Sequence, residues 1–345
     1  MDEPLARTSP GAARPISILD LARVAPDESV RESFLASVQI AQHAEALGFQ
    51  RVWYAEHHNM RSIASSATSV LIGHIASQTS TIRLGAGGIM LPNHSPLQIA
   101  EQFGTLESLH PGRIDLGLGR APGTDQVTLR ALRRDPADAE HFPQDVLELQ
   151  AFLGDQSRIP GVTATPGLRT HVPLYILGSS LFGAQLAAVL GLPYGFASHF
   201  APGALQDAVA MYRQEFRPSE QLQEPYVIAG VNVIAADDEA TARDQHRAAM
   251  IERAKLFLSR GGPRLTDEQA LAALESPAGR QIEEMTKYFA VGTGDEVRAY
   301  LDDFARLADA DELIVVPHAP DRKLQLRSLE IVAEVSGLNA HEAII

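Results

Sequence analysis

Residues 81–119 read TIRLGAGGIMLPNHSPLQIAEQFGTLESLHPGRIDLGLG. The run 81–91 is apolar on both alternating faces, as a strand buried between two layers must be. Ser95 then offers a helix cap and Pro96 a first-turn proline. The helical pattern continues to His110-Pro111-Gly112, where the chain breaks, and a second apolar run follows over 113–119. Strand, helix and strand in this order predict a parallel pair with the helix as crossover.

The same alternation extends through most of the chain. Strand-like runs lie at 15–22, 49–56, 81–91, 113–119, 173–179, 193–199, 226–236 and 312–318. Between them, Phe34, Val38, Ala41 and Leu47 fall near helical spacing before Gly48, and FPQDVLELQAFLG and FGAQLAAVLGLP repeat the scheme. About eight strand-then-helix units predict an α/β fold, a (β/α)8 TIM barrel, with a doubly wound open sheet as the alternative. Two connections are long. One follows strand 4, from Ala121 to about Glu140; the other separates strands 7 and 8 and includes a Gly-Gly-Pro hinge. Loops of that length are lids or substrate walls. Residues 1–13 read as a loose tail, and 14–345 as a single barrel domain.

Composition narrows the function. With 43 acidic against 29 basic side chains the net charge is −14, which repels nucleic acid and anionic membranes. No cysteine is present, so disulfides, thiolate metal sites and cysteine nucleophiles are excluded. The first residues lack a signal-peptide core and no run approaches a membrane span, so a cytoplasmic protein is expected.

In such a barrel the strands' carboxyl ends meet at one mouth, where chemistry gathers. Those ends are Asp20, Glu56-His57-His58-Asn59, Gly87-Gly88, Gly119-Arg120, Gly178-Ser179-Ser180, Ser198-His199, Asn232 and Pro317-His318. Gly178-Ser179-Ser180 opens a helix and is either a phosphate corner or an ordinary cap. Arg120 is either a cation for that phosphate or a surface ion pair. Gly87-Gly88 is either a place where backbone approaches a flat ligand or a plain bulge. GLGRAPG is not a dinucleotide fingerprint: its spacing is one residue too long and no helix pattern opens at Pro122. His57 and His58, read as successive strand residues, face opposite sides, so they are poorly placed to chelate one metal and no metal site is expected. One is then a ligand-contacting or catalytic histidine and the other structural, or both are structural.

Together, WYAEHHN, the stretch 81–120 and GSSLFGAQLAAVLGLPYGFASHF resemble the luciferase-like monooxygenase family, in its non-luminescent branch. The resemblance implies a usually dimeric (β/α)8 barrel that binds reduced FMN at the mouth. It implies His57 as the catalytic histidine beside the flavin and His58 as its neighbour. Gly87 and Gly88 occupy the place of a non-proline cis peptide behind the isoalloxazine ring. Arg120, Gly178, Ser179 and Ser180 match the phosphate site, and Ser198 and His199 lie near the ring; Asp20, at the same mouth, completes the expected cofactor set. Gly119 stands where light-emitting members carry a cysteine, so light emission is not expected. The helix at FPQDVLELQ lacks the family's phosphate-holding arginine, for which His141, Arg133 or Arg134 are the substitutes. The implied activity is FMN-dependent oxidation of a small organic substrate by O2, with reduced FMN supplied by a separate reductase and a homodimer as the assembly. The rivals are a deazaflavin (F420)-dependent hydride-transferring enzyme of the same barrel type, a flavin-binding protein without catalysis, and a metal hydrolase.

Overall fold

In a computed structural model of the chain, which describes residues 14–25, 27–121, 123–259 and 265–339, the strands form one parallel sheet. They are β1 (Ile16–Asp20), β2 (Arg51–Tyr54), β3 (Arg83–Met90), β4 (Ile114–Gly119), β5 (Leu174–Gly178), β6 (Tyr194–Phe196), β7 (Val227–Ala235), β8 (Phe289–Gly292) and β9 (Glu312–Pro317). β1 to β7 pair in chain order, β7 pairs β9, and β9 returns to β1 through Ile16↔Leu313 to Ile18↔Val315. Eight strands therefore close, and each is one of the eight runs read from the sequence. The expected (β/α)8 barrel is the fold.

β8 is a ninth strand outside that cylinder. β6 is short and covers only Val227 to Ala229 of β7; β8 pairs farther along, with Asn232 to Ala235. The barrel wall thus parts between β6 and β7 at its carboxyl end, and β8 takes up the exposed β7 edge.

The outer layer comprises α1 (Val30–Leu47), α2 (Thr68–Ala76), α3 (Pro96–Leu109), α4 (Gln126–Ala131), α5 (Phe142–Leu153), α6 (Leu181–Leu190) and α7 (Leu205–Glu215). It continues with α8 (Glu239–Leu258), α9 (Asp267–Leu274), α10 (Pro277–Met285), α11 (Gly294–Leu307) and α12 (Arg322–Ser336). Both long connections are structured insertions: α4 and a 3-10 turn follow β4, while α8 to α11 and β8 separate β7 from β9. The Gly-Gly-Pro hinge and the tail 1–13 lie outside the described residues. Among the described residues no helix is long and apolar enough to cross a membrane.

Alternate residues of the strands fill the interior. At the amino-terminal end Arg51 is fully buried: Nε and Nη2 donate to the two Glu312 oxygens at 2.9 and 3.1 Å, and Nη1 donates to Asp115 Oδ2 at 2.8 Å and to the Tyr175 hydroxyl at 2.7 Å. Tyr226 donates to Glu312 and Arg83 to Asp115, so the charges are shared rather than isolated. Above them Leu19, Trp53, Ile228 and Ile314 form an apolar layer, tied down by Trp53 Nε1 donating to Asp115 at 3.0 Å. A buried ion pair contributes little net stability when intact but leaves a costly orphan charge when one partner is removed. Glu312→Gln should therefore destabilise the fold by about 3 kcal/mol or more, read from the urea midpoint; a loss below about 1 kcal/mol would show that Arg51 finds sufficient compensation elsewhere.

Candidate active site at the barrel mouth

The floor of the mouth is the Gly87-Gly88 segment of β3, joined by a cis peptide bond, where the pairing register with β4 shifts. A Cβ on Gly87 would lie 2.8 Å from both Leu19 Cδ1 and Trp53 Cβ, and one on Gly88 2.6 Å from the Gly117 carbonyl oxygen. Neither position accepts a side chain. The result is a flat backbone surface flanked by Leu19, Trp53 and Leu177, suited to a planar ligand.

β4 and β5 are neighbours, so Arg120 and Ser179-Ser180 emerge side by side. The Arg120 guanidinium stacks 4.3 Å over the ring of Phe182, in the first turn of α6. Ser180 is the N-cap of α6 in extended conformation, yet its side chain makes no cap hydrogen bond, leaving the hydroxyl and the first-turn amides free for a ligand. Arg120 is thus held at the positive end of a helix, and among the described residues it forms no ion pair. A cavity of about 500 Å3 adjoins Ser179, walled by Phe200, Pro202 and, from α10, Glu284 and Met285. Of the suggested phosphate substitutes, Arg134 donates its Nε to the Asn93 carbonyl at 3.1 Å and His141 is exposed.

The histidine pair follows β2, which ends at Tyr54, so both residues belong to a loop rather than to a strand as expected. They diverge all the same. His58 turns back to donate Nε2 to Glu56 Oε1 at 2.8 Å, and His94 donates to the same carboxylate at 2.9 Å. The Met90 amide adds a third contact at 3.0 Å. Burial alone would raise the Glu56 carboxyl, but His58, His94 and the amide outweigh it and hold it at about 2. His58 is therefore a partner of Glu56. The His57 carbonyl accepts from Ser66 at 2.8 Å, which fixes the loop, and the ring itself is hydrogen-bonded to the Gly123 backbone. Its pKa is lowered by burial, with the Gly123 backbone and Glu56 opposing, so the ring is neutral at pH 7 and able to exchange a proton.

Across the mouth, the His199 ring packs against β7 at Gly230, where a Cβ would collide with Nδ1. Nδ1 is buried without a partner, and burial, then Arg253 and His57, hold this ring at about 3. Ser198 is tied to the Gly230 carbonyl at 2.6 Å. Asn232 donates to the His199 carbonyl at 2.7 Å and accepts from His318 Nε2 at 2.8 Å, fixing that tautomer. Among the described residues no group of three or more His, Cys, Asp or Glu side chains is placed to hold a metal.

The structure therefore brings His57, Gly87, Gly88, Arg120, Ser179, Ser180 and His199 to one mouth. Asp20 is different. It shares the strand parity of Ile16 and Ile18, which face the helices, and not that of Leu19, which faces the interior. Its Oδ1 accepts from the Ala22 amide at 2.9 Å and braces a residue with φ 46°, while Oδ2 is buried without a hydrogen-bond partner. Sequence reasoning missed the Glu56–His94 pairing and the Asn232–His318 bond.

Residues 15–311 match the family model for luciferase-like monooxygenases. A luciferase-like monooxygenase of Escherichia coli K12 is 46% identical over 321 residues, spanning 92% of this chain and 96% of that protein. The N-acetyl-S-alkylcysteine monooxygenase of Bacillus subtilis is 34% identical over 272 residues, spanning 76% of this chain and 79% of that protein. The crystal structure of apo-MsnO8 superposes with a TM-score of 0.86 at 33% identity, covering 95% of this chain and 100% of that one.

Because the folded-state carboxyl of Glu56 lies below its ordinary 4.5, its stabilising effect is complete above that pH and disappears as pH falls through about 2. Glu56→Gln should cost about 3 kcal/mol at pH 7, and the difference from wild type should shrink in unfolding experiments below pH ~4.5. A gap independent of pH would mean that the charge of Glu56 is not what holds His58 and His94.

Proposed function

Because this chain belongs to the luciferase-like monooxygenase family, we propose that it binds FMN at the barrel mouth and uses the reduced flavin and O2 to oxygenate a small organic substrate. The observation that carries the reading is the corner made by Arg120, stacked on Phe182, and the uncommitted Ser180 cap of α6. That corner fits a phosphate, and it lies at the same barrel end as the side-chain-free Gly87-Gly88 floor, which fits the isoalloxazine ring.

Arg120, Ser179 and Ser180 would hold the phosphate, and the Gly87-Gly88 backbone would support the ring. Reduced FMN, when bound, supplies the electrons that activate oxygen. The chain's own contribution is positional and protonic. Leu19, Trp53 and Leu177 exclude water from below the floor. His57 exchanges a proton with the reacting species, while Glu56 and His58 set the loop that presents it. His199, held neutral, lines the opposite side of the mouth. Oxygen transfer to a small molecule is supported by the Bacillus subtilis relative, named for such a reaction on N-acetyl-S-alkylcysteine. Reduced FMN would come from a separate reductase, since no nicotinamide fingerprint occurs in the sequence.

Arg120→Ala should weaken FMN about tenfold while changing riboflavin affinity little, because charge-assisted contacts to phosphate are lost and ring contacts are kept. Equal weakening of both would remove Arg120 from the phosphate site. His57→Ala should lower kcat on the order of 100-fold with FMN affinity retained. Wild-type turnover in that variant would end the catalytic assignment, and tight FMN binding with no oxidation of any substrate by the wild type would favour a non-catalytic flavin carrier.

A further inference from the structure

The mouth also contains two guanidinium groups that no proposed flavin contact uses. Arg23 follows β1, and its backbone is fixed by an antiparallel bridge to Ile63 and by Arg322, which donates to its carbonyl at 2.7 Å. Arg253 lies on α8 two turns beyond His246, on the same helical stripe. The His246 ring packs 4.8 Å from Phe289, and Phe289 lies 5.2 Å from His318, so this stripe passes over the end of β9. Among the described residues neither arginine forms an ion pair or a side-chain hydrogen bond; the Arg253 guanidinium lies 6.0 Å from the Phe257 ring centroid, and its Nη1 is buried without a hydrogen-bond partner.

The carboxylates that act on Arg23 are Asp20 and Glu252. Asp20 Oδ1 accepts from the Ala22 amide while its Oδ2 is buried without a hydrogen-bond partner, so Asp20 offsets part of the Arg23 charge; Glu252 is exposed and paired with Lys255 at 2.6 Å. Burial, followed by repulsion from Arg23, lowers Arg253 to about 10, and both cations add to the burial that holds His318 neutral. A chain of net charge −14 has thus brought Arg253, with no carboxylate acting on it, near Arg23, which Asp20 only partly offsets, and an outside anion would relieve the positive charge that remains.

The strand order says whose anion it is. Around the barrel, the β9–β1 side that carries Arg23 lies opposite the β4–β5 side that carries Arg120 and Ser179. One bound FMN spanning the floor has its phosphate at the far side and cannot also place it here. The wall next to Arg23 is apolar, made by Leu21, Ile314 and Val316. We propose that Arg23 and Arg253 form a subsite for the carboxylate of the substrate, so that the substrate class is small organic acids with an apolar body. This rests on the flavin reading above.

The test is calorimetric titration of the full chain, with and without FMN, using hexanoate and 4-phenylbutanoate against the neutral hexanamide and 4-phenylbutanamide. The expected result is at least about tenfold tighter binding of each acid than of its amide. Arg253→Met and, independently, Arg23→Met should remove that preference, Arg253→Lys should keep part of it, and FMN affinity should stay within about threefold of wild type in all three. Equal affinity of acid and amide in the wild type, or a preference that survives both Met variants, overturns the subsite. A parallel loss of FMN affinity assigns the cations to the flavin and overturns it equally. Failure of FMN to bind the wild type would sink the flavin reading alone, since the flavin-free titration decides the anion site by itself.

Discussion

The site stands on a charged group enclosed in a closed cylinder. Arg51 lies between Asp115 and Glu312 with no exposed surface, and the three come from β2, β4 and β9, strands far apart in sequence. Their hydrogen bonds span the barrel interior, and Trp53 rests on the same Asp115. Because this lower half is filled and cross-linked, the upper half can remain lined by glycine without the cylinder collapsing. Gly87 and Gly88 are tolerated there because packing below, and not their own side chains, maintains the wall.

On that base the mouth divides into three chemical zones by strand order alone. β4 and β5 bring a cation and a helix amino terminus together, and β2 and β3 supply His57 and the flat backbone. β9 and β1 supply Arg23, with Arg253 reaching over from the inserted α8. The split between β6 and β7, where β8 replaces a strand that stops short, is what admits the insertion to the mouth. A phosphate, a planar ring and a carboxylate would then be handled by separate parts of one opening, which is how a flavin and its substrate could be held without competing for the same charges.

The eight barrel strands were legible because a buried parallel strand is apolar on both faces, a pattern that survives in single-sequence reading. The positions of Ser179-Ser180, Gly87-Gly88 and His57-His58 at or just after strand ends were legible for a related reason, since each is a local run of unusual residues, although the histidines were read as strand residues and lie in a loop. β8 was not, since Phe-Ala-Val-Gly is too short to show a period. Arg23, Arg253 and His318 meet only after β9 closes on β1, so no spacing in the chain could announce them. Glu56 and His94 are separated by the whole of β3 and are joined by a hydrogen bond across it. Asp20 was legible as a strand end, but its parity with Ile16 and Ile18 was not weighed.

The central claim is that the mouth holds reduced FMN and shields it while it meets oxygen. It is tested most directly by titrating the full chain with reduced FMN under argon and then mixing the complex rapidly with air-saturated buffer. The account predicts saturable binding, followed by a transient absorbance that belongs to neither reduced nor oxidised FMN. Absence of binding, or oxidation with the time course and spectrum of free reduced FMN, would contradict it.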